Sequence, residues 1–338
     1  MQHLQFFSYI TLLLLYCNVS IALDCQVNDA NEVKVAYTIT VDKSGQGNFT
    51  TIQQAIDSIP SDNSQWIRIQ IPSGSYNEKV TIQNDKTCIY LEGAGKEVTS
   101  IEWNDHESTS TSATFTAQAD NLVVKGIAFK NTFNGPFSLQ QTGLVQAVAA
   151  QIQGDKNYFY QCGFFGVQDT LWDVSGRHYF HESYFQGGID FIFGNGQSLY
   201  EKCVLNYSMG EYEDGIGAGF ITAQGRESED NPGGFVFKHC KFTGRGKAYL
   251  GRAWKEYSRV IVANSDLSDI IVPEGWEAWN NKGNEGKITY VEVDNTGPGA
   301  DTSKRIPWLK KWSKTELDQF LGTTFNNQGS WLSKRPIV

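Results

Sequence analysis

The chain has 338 residues, 40% hydrophobic and 19% charged, with a net charge of −9. That length and composition suit one large folded domain and exclude a disordered chain. The acidic balance argues against nucleic acid and against an anionic membrane surface as partners.

"FFSYITLLLLYC" (Phe6 to Cys17) is an apolar run too short to span a bilayer, followed by small residues at Ser20 and Ala22. Residues 1–22 therefore read as a secretory signal, although no Lys or Arg precedes the run, and residues 23–338 as a single domain. In a secreted protein the sequons "NFT" at Asn48 and "NYS" at Asn206 are candidate glycosylation sites. Cys17 leaves with the signal. The remaining Cys25, Cys88, Cys162, Cys203 and Cys240 are odd in number, so at least one thiol is unpaired or pairs between chains. No Cys/His spacing suits zinc, and neither a metal nor another cofactor is expected.

"FTTIQQAIDSIP" places Ile52, Ala55, Ile56 and Ile59 on one helical face and ends at Pro60, which predicts a short amphipathic helix over Thr50–Ile59. From about Ile67 to Val293 helical periodicity gives way to short β-branched and aromatic runs separated by Gly, Asn and Asp. "YFYQCGFFG", "YFHESYFQG", "LYEKCVLNY" and "VFKHCKFTG" share one frame, and "VVKGIAFKN" and "VIVANSDLS" fit it more loosely. The frame puts Ile127, Cys162, Ser183, Cys203, Cys240 and Ser265 in one column. Repeats of a short-strand unit predict an all-β solenoid, a single-stranded right-handed parallel β-helix. A β-sandwich is the alternative. The column reads as a core ladder, in which Cys203 and Cys240 occupy adjacent rungs and either bridge or stay thiols. Open ends need covers. The first helix suits one end, and "SKTELDQFLG", with Ser313 and Glu316 as a capping box and Gly322 as a stop, suits the other.

Against this frame, "GVQDTLW" sets Gln168 and Asp169 just after one strand unit, and "GGIDFIFGN" sets Asp190 after the next. Adjacent coils lie ~4.8 Å apart, so the two carboxylates can meet across a groove. Such a pair can split its pKa values into nucleophile and acid. "LGRAWKEYSR" supplies Arg252, whose planar fork can orient a carboxylate, and Trp254; "GLVQAVAAQIQ" supplies Gln146, an amide donor within an apolar strand. The five His form no triad pattern and no GxSxG is present, which disfavours a serine hydrolase.

"GSYNEKV", "QAVAA", "GVQDTL", "DFIFGN", "TAQGR" and "LGRAW" occur in this order and resemble the signature segments of the pectinesterases (pectin methylesterases), especially the plant type. The resemblance spans roughly residues 36 to 332. It departs at Ala253, where the family usually has Pro, at Ala150, often Leu, and at Val167, usually Tyr or Phe; groove shape and preference are expected to differ accordingly. The family's inhibitor-like pro-region is not expected in this chain. The resemblance implies Asp190 as nucleophile, Asp169 as general acid and then base, and Gln146 and Gln168 as oxyanion donors. It further implies Arg252 as the partner of Asp190, and Thr114 and Trp254, with Gln146 and Arg252, as substrate contacts. Tyr76 and Glu78 in "GSYNEKV" are read as coil-shaping. The implied protein is a secreted, monomeric wall enzyme that hydrolyses methyl esters of homogalacturonan to pectate and methanol, with a proteinaceous pectinesterase inhibitor as a candidate partner. Glycosidases also pair carboxylates, so a chain-cutting enzyme and a silent pectin-binding protein are the competing readings.

Overall fold

Each sequence repeat becomes one coil of three short strands. Asn157–Tyr160, Gly163–Phe165 and Leu171–Asp173 make one coil; Arg177–His181, Tyr184–Gly187 and Ile189–Gly194 make the next. The computed structural model describes residues 25–26, 33–134, 143–212, 217–322 and 324–337. The expected signal segment, residues 1–22, lies outside them. Each strand pairs in parallel with its counterparts one coil before and after. Three sheets result: a first of ten strands from Tyr37–Thr40 to Thr289–Val293, a second of eight from Gly74–Tyr76 to Asp266–Leu267, and a third of eight from Val80–Ile82 to Trp276–Glu277. This is the parallel β-helix that the repeats predict. No helix among the described residues is long and apolar enough to cross a membrane.

The repeated column marks the corner between the first and second sheets. Its members follow residues in the left-handed region: Gly126, Gln161, Glu182, Lys202, His239 and Asn264, with φ between 49° and 65°. One such residue per coil turns the chain sharply. The next side chain then points inward, and Ile127, Cys162, Ser183, Cys203, Cys240 and Ser265 are all at most 2% exposed. Beside them Phe159, Phe180, Tyr200 and Phe237 stack coil on coil at 5.1, 4.7 and 4.6 Å between centroids. Much of the chain's aromatic content thus fills the solenoid, where large rings bury the most area per residue.

Cys162, Cys203 and Cys240 are all free thiols. Each is directed at a carbonyl of the preceding coil: Val124 at 3.5 Å, Phe180 at 3.4 Å and Tyr200 at 3.3 Å respectively. The adjacent rungs Cys203 and Cys240 are therefore not bridged. The one disulfide among the described residues joins Cys25 to Cys88.

The first helix spans Ile52–Asp57, shorter than the Thr50–Ile59 expected, and its buried Ile52, Ala55 and Ile56 close the first end. The Glu78 carboxylate accepts from the amides of Ile52 and Gln53, both at 3.1 Å, which gives Glu78 its structural role. The second helix, Lys314–Leu321, carries the expected Ser313–Glu316 capping box. It does not plug the last coil. Leu317 and Phe320 pack on Leu199, Val236, Ile261 and Val291, the outer face of the first sheet. The last end is instead closed by Ile306, Trp308 and Leu309, with Trp308 5.7 Å from Tyr290. The tail then runs back along the outer face until Trp331 packs beside Trp66, Tyr90 and Tyr158.

Candidate active site

The outer face of the third sheet carries the groove. One outward column runs Trp172, Phe193, Ala223, Arg252, Glu277 on successive coils. Trp172 and Phe193 stack at 5.4 Å, and Trp254 meets Phe193 edge-on at 6.0 Å. Gln146, Asp169, Asp190, Trp254 and Trp279 join them around a cavity of about 500 Å³, with Glu107–Ser110 along one rim.

Asp190 owes its position to a bulge. Ile189 pairs with Phe220 and Ile192 with Thr222, so Asp190 and Phe191 together face the single Ile221. An extra residue in one strand re-aims a side chain. Here Asp190 takes φ 47°, its carboxylate reaches the groove, and Phe191 drops fully into the core. Asp169, one coil earlier, lines the same groove and is also in the left-handed region, at φ 61° just after Gln168, which bridges to Ile189. Asp tolerates the left-handed region better than most residues, and strain of this kind gathers at functional sites.

Both carboxyls are nearly buried, at 5% and 6% exposure, yet their surroundings differ. Arg252 reaches back two coils and grips Asp190 with both arms, Nε to Oδ1 at 2.9 Å and Nη2 to Oδ2 at 2.6 Å. Burial raises the Asp190 pKa above its ordinary value; the Arg252 hydrogen bonds and charge offset only part of that rise, and the Glu277 charge adds to it. Asp169 has no such fork. Burial and then the Asp190 charge push it up to about 8, with Arg252 opposing only at a distance. Of the two, the gripped Asp190 is the one favoured to ionise and Asp169 the one favoured to keep its proton.

Gln146 is exposed and stands ahead of the strand Ala150–Ile152 rather than within it. Gln168 is half-buried on the next coil, and the Ala147 amide donates to its backbone carbonyl. Neither side-chain amide has a hydrogen-bond partner among the described residues; Gln146 lines the cavity, whereas Gln168 is not among its lining residues. Thr114 is placed otherwise. Its side chain is fully buried and its hydroxyl donates to the Lys130 carbonyl at 3.0 Å, which leaves no exposed group for a substrate. Ala150, Val167 and Ala253 are also buried, so these departures from the family pattern change the packing behind the groove and not its lining.

Sequence reasoning missed Trp172, Phe193, Phe220 and Trp279. Trp172 and Phe193 were within reach, each following a quoted motif residue at strand spacing. Nothing local marks Phe220 or Trp279, whose rings flank the Arg252 guanidinium at 4.2 and 3.7 Å.

Comparison with known proteins shows the family. Residues 38–329 match the Pectinesterase family. The chain is 49% identical over 331 residues to Putative pectinesterase 10 of Arabidopsis thaliana, covering 98% of this chain and 96% of that protein. It is 48% identical over 301 residues to Probable pectinesterase 29 of the same plant, covering 88% and 90%. Among solved structures, the pectin methylesterase from carrot superposes with a TM-score of 0.81 at 29% identity, covering 92% of this chain and 99% of that one. The chain belongs to the pectinesterase family, whose members are carboxylic-ester hydrolases.

Proposed function

We propose that this pectinesterase hydrolyses methyl esters of homogalacturonan through Asp190 as nucleophile. The observation that carries the mechanism is the unequal pair: Asp190 gripped by Arg252, and Asp169 one coil away with its pKa raised to about 8. An Asp190 oxygen attacks the ester carbonyl carbon, and the negative charge that develops meets the side-chain amides of Gln146 and Gln168. As the tetrahedral intermediate collapses, the C–OCH3 bond breaks and Asp169 gives its proton to the departing methoxide, releasing methanol. Asp169, now ionised, takes a proton from water. The resulting hydroxide attacks the acyl carbon, which frees Asp190 and leaves a galacturonate carboxylate. Trp172, Phe193 and Trp254 offer apolar surface to the sugar rings.

The site is complete within one chain, which supports a monomer. Residues 1–22 direct the protein to the secretory path and the cell wall, where a proteinaceous inhibitor that covers the groove is the expected partner. In that setting Asn48, which is exposed, takes a glycan. Asn206, half-buried with its amide donating to Gln186 at 3.3 Å, does not. Peptide mass spectrometry of the secreted protein checks both sites; a glycan on Asn206 and none on Asn48 refutes this assignment.

The deciding experiment follows methanol release from methylated pectin while chain length is measured in parallel. Methanol without shortening is the expected result. Shortening points to a depolymerase, and binding with neither product points to a silent pectin-binding protein.

A further inference from the structure

Arg252 is gripped along one edge only. Its Nε and Nη2 are taken by Asp190, and its Nη1 has no hydrogen-bond partner among the described residues. An arginine held by a single fork keeps rotational freedom about that edge, and its side chain is rich in rotamers. Here the guanidinium carbon lies over two aromatic rings. The Phe220 ring lies 4.2 Å from the guanidinium carbon and the Trp279 ring 3.7 Å. Phe220 comes from the coil between Asp190 and Arg252, whereas Trp279 comes from the turn after the last strand of the third sheet.

That turn is built at a cost. Trp279 adopts φ 52°, a left-handed conformation that a bulky side chain rarely takes. Asn281 ties the turn down: its side-chain amide donates to the Ala253 carbonyl at 2.7 Å, on the residue next to Arg252, and to the Ala278 carbonyl at 3.3 Å. Strained backbone held by bonds to the very strand it overlies points to a task for the side chain it presents.

We propose that Trp279 is a positioning residue, the second jaw of an aromatic clamp with Phe220 that locks the Arg252 fork onto Asp190. The inference rests on Asp190 being the nucleophile and Arg252 the residue that holds it. Locking the plane favours the ionised, aimed form of Asp190, and the ring faces add cation–π attraction to a largely buried guanidinium. An aromatic that only touched substrate would govern binding. A clamp governs turnover and the protonation of Asp190.

The test compares Trp279→Leu, Trp279→Phe and Asn281→Ala in the mature enzyme on methylated pectin across pH. For Trp279→Leu we expect kcat to fall by about tenfold with KM within about twofold, and the acid limb of the pH profile to move to higher pH, because a loosened fork offsets less of the burial at Asp190. Trp279→Phe restores most of the turnover. Asn281→Ala shifts both readouts in the same direction but less, and keeps the proposal testable if Trp279→Leu fails to fold. The Arg252 Nε–H resonance, protected from exchange in the wild type, exchanges faster in the Leu variant. A raised KM with unchanged kcat and an unmoved acid limb overturns the clamp and makes Trp279 a substrate contact. Separately, wild-type turnover in folded Asp190→Asn overturns the reading of Asp190 as nucleophile on which the clamp depends.

Discussion

Arg252 holds Asp190 from two coils away, at 2.9 and 2.6 Å through two different nitrogens. The intervening coil offers Ala223 in the same outward column, a side chain small enough to let the arginine pass. The contact therefore fixes direction as well as charge, which a single-point ion pair does not do.

Arg252→Lys keeps the charge and removes the fork. We expect kcat to fall by roughly 10–100-fold, the scale of a lost charge-assisted hydrogen bond. Steady-state kinetics on methylated pectin checks this, and wild-type turnover removes Arg252 from the mechanism.

Asp169 makes activity and stability depend on pH. It must hold its proton to release methanol, so turnover should decline as pH passes about 8, while the acid limb follows protonation of Asp190. The stability effect has a definite sign. Between the ordinary aspartate value of 3.8 and about 8, native Asp169 keeps a proton that the unfolded chain has lost, so stability falls with rising pH by up to about 1.4 kcal/mol per unit. Asp169→Asn removes that slope. The variant should be severely impaired in turnover, yet melt higher than wild type at pH 8 and much the same at pH 4. Melting curves across pH decide it, and an unchanged difference between the two pH values contradicts the assignment.

Thr114→Val separates a structural from a binding role. With the hydroxyl already committed to the Lys130 carbonyl, the substitution should leave KM for pectin unchanged and cost about 1 kcal/mol of stability. A several-fold rise in KM at unchanged stability would return Thr114 to the substrate.

Disulfide and thiols give a fourth check. Alkylation of the denatured, unreduced mature protein should label three cysteines, Cys162, Cys203 and Cys240, and none of them in the native state, where all three are buried. Cys25→Ser opens a crosslink between positions 63 residues apart and should lower stability by roughly 4 kcal/mol. Label on Cys25 or Cys88 without reductant would show that the bridge is not formed.

What the sequence determined by itself is what repeats locally. A strand, a sharp corner and an inward small or apolar side chain recur in the six coils from Leu122–Lys125 to Arg259–Ala263, so the frame around Cys162, Ser183 and Cys203 is enough to read the solenoid. The polar residues that break the frame, Gln168, Asp169 and Asp190, stood out for the same reason. Loops of unequal length separate the coils, and no local period records which side chains they bring together. Tertiary register alone set Phe220 and Trp279 against Arg252, and it turned Thr114 into the wall, because its hydroxyl meets a carbonyl 16 residues on. It also left Cys203 and Cys240 unbridged, since each thiol found a carbonyl of the preceding coil. The second helix was legible from its capping box, but its docking surface was not. Leu317 and Phe320 bury themselves wherever apolar area is uncovered, and in this fold that is the outer face of the first sheet, a surface that exists only once the coils have stacked.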